Sequence, residues 1–124
     1  MVITKEFELY DTGKGYCLSP IGYIEGMPFS VNDYEFLLER KQEDYDKIED
    51  WFKAQFVPYL TRKSFNEYIT SYGIKHIAER ELGFYVCNAD IKLLTLENGV
   101  EYKKYPHSPN ITYKLSKDFY KRQV

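Results

Sequence analysis

The chain has 124 residues, 44% of them hydrophobic and 29% charged, with a formal net charge of −2. That is long enough for one domain with a core of its own. Two cysteines, Cys17 and Cys87, lie 70 residues apart with no CxxC pair, and the expectation is two buried thiols in a reduced, cytosolic setting. No apolar run approaches the roughly 20 residues that span a bilayer, and the start, MVITKEFELY, lacks the apolar stretch of a secretion signal.

The small net charge hides a split. Residues 1–52 hold 5 basic and 12 acidic side chains, and residues 53–124 hold 12 and 7, so the halves carry −7 and +5. Such asymmetry points to two partner surfaces, or to halves that attract each other. With 13 Tyr and 8 Phe against one Trp, the aromatic share suits interfaces as well as cores, so a homodimer is compatible with it.

Residues 2–10 alternate as a strand with Ile3, Phe7 and Leu9 on one face. Asp11 to Gly15 read as a turn, and Tyr16-Cys17-Leu18 as the returning strand. The Gly13-Lys14-Gly15 triplet lacks the spacing of a phosphate loop. Pro20, Gly22, Gly26 and Pro28 make residues 19–30 a loop, with room for a short strand at Ile21–Ile24.

A long helix follows over 31–58. Asn32 and Glu35 resemble a capping box, and Tyr34, Leu37, Leu38, Tyr45, Ile48, Trp51, Phe52 and Phe56 form its apolar stripe. Pro58 forces Val57 out of helical geometry and ends it. The alternative is a kink near Gln42 that makes two helices. Glu35, Glu39, Glu43, Asp46 and Asp50 recur at steps of three and four and form one acidic line. A solvated face explains such a line, and so does a contact surface for a basic partner, including the cationic groove of a nucleic-acid-handling complex.

Residues 60–69 begin basic and read as a short helical turn. Ser71 caps the next helix, whose stripe is Ile74, Ile77, Ala78 and Leu82, and Gly83 stops it. Asn88 caps a second helix that ends at Asn98-Gly99. Val100–Tyr105 and Ile111–Leu115, around a Pro-rich turn, read as a hairpin, and Ser116 to Val124 as a short helix or frayed end.

The expected fold is therefore α+β in a single domain over 1–124. It comprises an N-terminal β-hairpin and loop (1–30), the long acidic helix (31–58), and a winged-helix-like module (60–124) of helix-turn-helix plus β-hairpin. In such a module the second helix of the pair reads the groove and the wing tracks phosphate. Its outward residues would be Asp90, Lys92, Thr95 and Glu97, with Lys103, Lys104, His107 and Lys114 on the wing. On the preceding helix Tyr72, Lys75, His76, Glu79 and Arg80 form a polar face. That face either fixes the helix angle by hydrogen bonds or binds a ligand or partner. With His76 and His107 the only histidines, no metal site and no cofactor are expected, and no catalytic set is visible.

One block carries a resemblance. Trp51-Phe52, Val57-Pro58-Tyr59-Leu60, the run Thr70 to His76, Glu79, Gly83-Phe84-Tyr85-Val86, Asn88, and Asn110 before Tyr113 resemble a family of small proteins encoded by phages and integrated mobile elements of Gram-positive bacteria. Where that family carries a small residue and a methionine in the second helix, this chain has Leu94-Thr95. The resemblance covers residues 51–116 and implies a mobile-element origin within a host bacterial cell, with no particular activity.

Three functions follow as expectations. The first is a non-enzymatic inhibitor that binds a host defence protein or ribonucleoprotein complex, in the manner of an anti-CRISPR protein. It would use Glu35, Glu39, Glu43, Asp46 and Asp50. The second is a nucleic-acid-binding regulator or replication accessory that uses Lys75, His76, Lys92, Lys103, Lys104 and Lys114 on DNA or RNA. The third, an enzyme such as a nuclease, has no clustered carboxylates or paired metal ligands to support it.

Overall fold

The computed structural model describes residues 39–106 and 108–122, together with the strand backbone at Tyr10–Asp11, Cys17–Leu18 and Pro28–Phe29. These three short strands are β1, β2 and β3, and they form an antiparallel sheet in that order. Tyr10 pairs with Leu18 and Cys17 with Phe29. Of the hairpin expected around residue 15, the Tyr10–Asp11 to Cys17–Leu18 pairing is described, while the strand face of Ile3, Phe7 and Leu9 lies outside the described residues; a third strand lies at Pro28–Phe29. The strand proposed at Ile21–Ile24, the Asn32–Glu35 box, Glu35 and His107 lie outside the described residues.

The expected long helix is interrupted. Glu39 is helical, but Arg40 and Lys41 are not, and α1 spans Gln42–Trp51. Lys41 is extended at φ −72°, ψ 137°. The break falls where the Arg40 side chain turns away to the body of the protein. The far end also departs from expectation. Helical winding does not stop at Val57, which keeps φ −55°, ψ −40°. Instead the coil widens to a π turn over Phe52–Phe56 and tightens to a 3₁₀ turn over Val57–Tyr59. Pro58 has no N–H to give, and its ring would meet a carbonyl one regular turn back. The change of pitch accommodates it, and Leu60 N–H closes the turn on Val57 O at 3.1 Å.

Residues 66–70 are not a helical turn but strand β4, Asn66–Thr70. Tyr68, Ile69 and Thr70 favour the pleat. Asn66 pairs with Tyr113 and Thr70 with Thr112, so four steps on β4 face one step on its partner. Asn66 shapes this bulge. Its Oδ1 accepts Tyr68 N–H at 3.1 Å and its Nδ2 donates to Leu115 O at 3.2 Å. The bulge throws Tyr68 fully into solvent.

Helix α2 spans Ser71–Leu82 and α3 spans Asn88–Glu97. The stops are as expected: Gly83 at φ 82° and Gly99 at φ 63° both sit in the left-handed region where glycine is cheapest. The caps are not. Ser71 lies within α2, and its Oγ accepts Ile111 N–H at 3.2 Å, which ties the helix start to the sheet. At α3 the cap is Cys87, with Asp90 completing a capping box, and Asn88 lies inside the helix. Strands β5, Lys103–Lys104, and β6, Ile111–Tyr113, form the expected hairpin, and the sheet order is β4-β6-β5, antiparallel throughout. The tail is docked. Ser116 Oγ accepts Asp118 N–H at 3.1 Å and starts a 3₁₀ turn over Lys117–Lys121 that buries Phe119.

The core runs from Tyr45 to Phe119, and α3 is its axis: every residue from Asn88 to Thr95 is buried. Ridges of Phe52, Phe56, Tyr113 and Phe119 meet at centroid distances of 4.9–5.9 Å. Among the described residues no helix is long and apolar enough to cross a membrane.

Candidate functional site

Helix α1 buries Tyr45, Ile48 and Trp51 and turns Glu43, Asp46 and Asp50 to solvent, with Glu39 exposed just before the break. This is what the 3.6-residue period requires. Glu43 and Asp44 suit the positive end of the helix dipole. Asp46 accepts a bond from Gln42 Nε2 at 2.9 Å, and Glu49 lies 3.8 Å from Lys53. Among the described residues none of Glu39, Glu43, Asp46 and Asp50 is ion-paired, so the acidic flank stands open.

The basic set behaves differently. Lys92, expected to point outward for nucleic-acid contact, is fully buried, and its Nζ donates to Pro109 O at 2.8 Å. Asp90 and Thr95, expected on the same outer face, are buried too, and only Glu97 of that group is exposed. The physical reason lies on three sides of α3. Arg40 covers Asp90, Tyr113 meets Thr95 at 2.7 Å, and the turn before β6 closes over Lys92. Lys75 is buried as well. Its ammonium lies 3.5 Å from Glu79 Oε1 and over the rings of Tyr72 and Tyr85, 5.4 and 4.9 Å from their centroids. On the hairpin, Lys103 is held by Glu67 at 2.7 Å and Lys114 by Glu101 at 3.0 Å. The Lys103 bond holds the Glu67 carboxyl below the usual range, with help from Tyr105. Of the five lysines in the expected basic set, Lys104 alone is exposed and without an ion pair among the described residues.

His76 packs edge-on against Tyr72 at 4.5 Å, with Nδ1 3.9 Å from Glu79 Oε2. Glu79 also accepts Val86 N–H at 3.2 Å. The polar face of α2 thus fixes the α2–α3 connection, while Tyr72 and Tyr85 stay half exposed. Among the described residues no group of three or more His, Cys, Asp or Glu could hold a metal ion.

Two buried clusters were not visible beforehand. Asp90 accepts Arg40 Nε at 3.0 Å and Nη2 at 2.6 Å, and Cys87 N–H at 2.9 Å, while Arg40 Nη2 also donates to Tyr85 O at 3.2 Å. Burial, and then the adjacent Asp90, push the Cys87 thiol up to about 12, so it is an inert side chain at ordinary pH. In the second cluster Glu81 takes Arg122 in a fork at 2.9 and 2.7 Å and Trp51 Nε1–H at 2.8 Å. Burial pulls the Glu81 carboxyl upward, but Arg122 and Trp51 more than reverse that and leave it lowered. The one signal in the sequence was the spacing of Asp90 from Cys87, which is a capping-box interval with an unusual cap residue.

No protein family, curated protein or solved structure matches this chain.

Proposed function

We propose that this protein is a non-catalytic binding protein that lays its acidic α1 flank on a cationic surface of a nucleic-acid-processing complex, and so acts as a mobile-element inhibitor of a host defence system. The observation that carries the reading is the contrast between the two halves. The carboxylates Glu39, Glu43, Asp46 and Asp50 stand open, whereas most cations of the C-terminal half are buried or already paired. A surface of one sign that the fold leaves uncompensated is a steering and docking surface for the opposite sign. The resemblance of residues 51–116 to phage and mobile-element proteins supplies the setting.

The element order α1-β4-α2-α3-β5-β6, with β6 between β4 and β5, supports reading residues 42–115 as a winged-helix-like scaffold. The burial of Asp90, Lys92 and Thr95 argues that the scaffold serves protein contact rather than groove reading.

The test is inhibition of target cleavage by a panel of reconstituted RNA-guided nucleases, with wild type and a Glu43→Lys, Asp46→Lys, Asp50→Lys variant. The expected result is inhibition of at least one complex by wild type and its loss in the variant. No inhibition across the panel, or inhibition indifferent to the reversal, refutes the reading. Salt-sensitive binding to DNA or RNA that is lost with Lys104→Ala would favour the nucleic-acid alternative instead.

A further inference from the structure

Beside the acidic flank lies a groove of about 450 Å³, between the C-terminal half of α1 with its wide turn and the end of α2. Trp51, Ala54, Leu82 and Phe84 line it together with Lys47, Asp50 and Gln55. Leu82 and Phe84 are only half-buried and Ala54 is exposed, so apolar area faces solvent. Lys47, Asp50, Trp51 and Ala54 lie at helical steps along one stripe. The same stripe runs back one turn, to Glu43 before Lys47 and Asp46 before Asp50. The acidic flank therefore adjoins a shallow, open depression with an apolar side formed by Trp51, Ala54, Leu82 and Phe84.

Charge decides the class of occupant. Glu43, Asp46 and Asp50 outnumber Lys47 on this stripe, so a phosphate backbone laid along it meets net repulsion, which argues against nucleic acid. What complements the pair of features is a polypeptide whose apolar side chains enter the depression while lysines or arginines on either side reach the carboxylates. We propose that the groove and flank together dock a basic amphipathic helix of the partner protein. This rests on the flank being a contact surface and names the chemistry that it contacts.

Trp51 is the only tryptophan in the chain, so its emission reports on this groove. The full chain is titrated with a synthetic leucine–lysine helix of heptad spacing and with a scrambled peptide of the same composition. The helical peptide is expected to shift Trp51 emission saturably and to bind roughly tenfold more tightly than the scrambled one. Ala54→Arg, and separately Asp46→Lys with Asp50→Lys, should each weaken the helical peptide by a similar factor. Ala54 is exposed, so its replacement leaves the core intact, which far-UV circular dichroism checks. Equal binding of the two peptides, or indifference to Ala54→Arg, overturns the proposal. So does an emission shift produced by a single-stranded oligonucleotide, or one that tracks self-association in sedimentation. In the cleavage assay, inhibition lost on charge reversal but kept with Ala54→Arg means that the groove is idle and the acidic flank still acts. Inhibition kept in both means that neither acts.

Discussion

Arg40→Ala probes a fully buried charge, that of Asp90. The Asp90 side chain is wholly inaccessible, and its partner Arg40 is 11% exposed. Removing the guanidinium leaves Asp90 with its bonds from Cys87 N–H and the Cys87 thiol but with no cation. An ion left so typically costs 3–5 kcal/mol. Arg40 lies at the edge of the core, where water can enter, so about 2–4 kcal/mol is expected. For a chain of this size that lowers Tm by on the order of 10 °C. Arg40→Lys keeps the charge but not the fork to Asp90 and Tyr85 O, and should fall between. Asp90→Asn in the Arg40→Ala background removes the stranded charge while keeping an acceptor for Cys87, and should recover part of the loss. Urea unfolding with a common m-value gives all four stabilities. A cost for Arg40→Ala within about 0.5 kcal/mol, as for a surface pair, or no recovery with Asp90→Asn, would refute the argument.

Three other outcomes follow from the same packing. Glu81 has its carboxyl lowered from the ordinary 4.5 in the folded state, so it adds stability above that pH and loses it as pH falls through the folded value. The stability gap between wild type and Glu81→Gln, followed by thermal melts from neutral to acid pH, should narrow as pH drops; a constant gap would contradict it. Lys92→Ala removes a buried stem and leaves Pro109 O short of a donor, so it should cost about 2–4 kcal/mol in urea unfolding, and its phenotype should be loss of folded protein rather than of a contact. Tyr113→Phe deletes one hydroxyl from Thr95, which still donates to Ile91 O at 2.7 Å, so the cost by denaturant melt should be only about 1 kcal/mol.

Periodicity made α2, α3, the β5–β6 hairpin and both glycine stops legible, because each is set by residues close in sequence. The break at Arg40–Lys41 was legible only as the weaker alternative. There Arg40 reaches Asp90, a partner fifty positions away, which no local pattern reveals. Strand β4 was missed because a basic start and a bulge at Asn66 blur its alternation. The outer face assigned to α3 was the largest error. Asp90, Lys92 and Thr95 look like a solvent face by residue type, yet each has a buried partner supplied by a different element. On α1, Glu43, Asp46 and Asp50 are exposed as their spacing implies, but the break at Arg40–Lys41 takes Glu39 off that helix, and Glu35 lies outside the described residues, so the continuous five-carboxylate line is not one helix face.

Phe119 and Arg122 bear on how the chain is made. Phe119 fills the space beside Trp51, Phe56 and Tyr59, and Arg122 secures Glu81 from above its ring at 4.1 Å. Both are among the last of these residues to be synthesised. The fold therefore cannot latch while translation is still short of them, and until they emerge Trp51 and Glu81 remain without their closing partners. Removing Phe119 and Arg122 together, as a Phe119→Ala, Arg122→Ala variant, should therefore open this side of the core and lower Tm, as seen in a thermal melt.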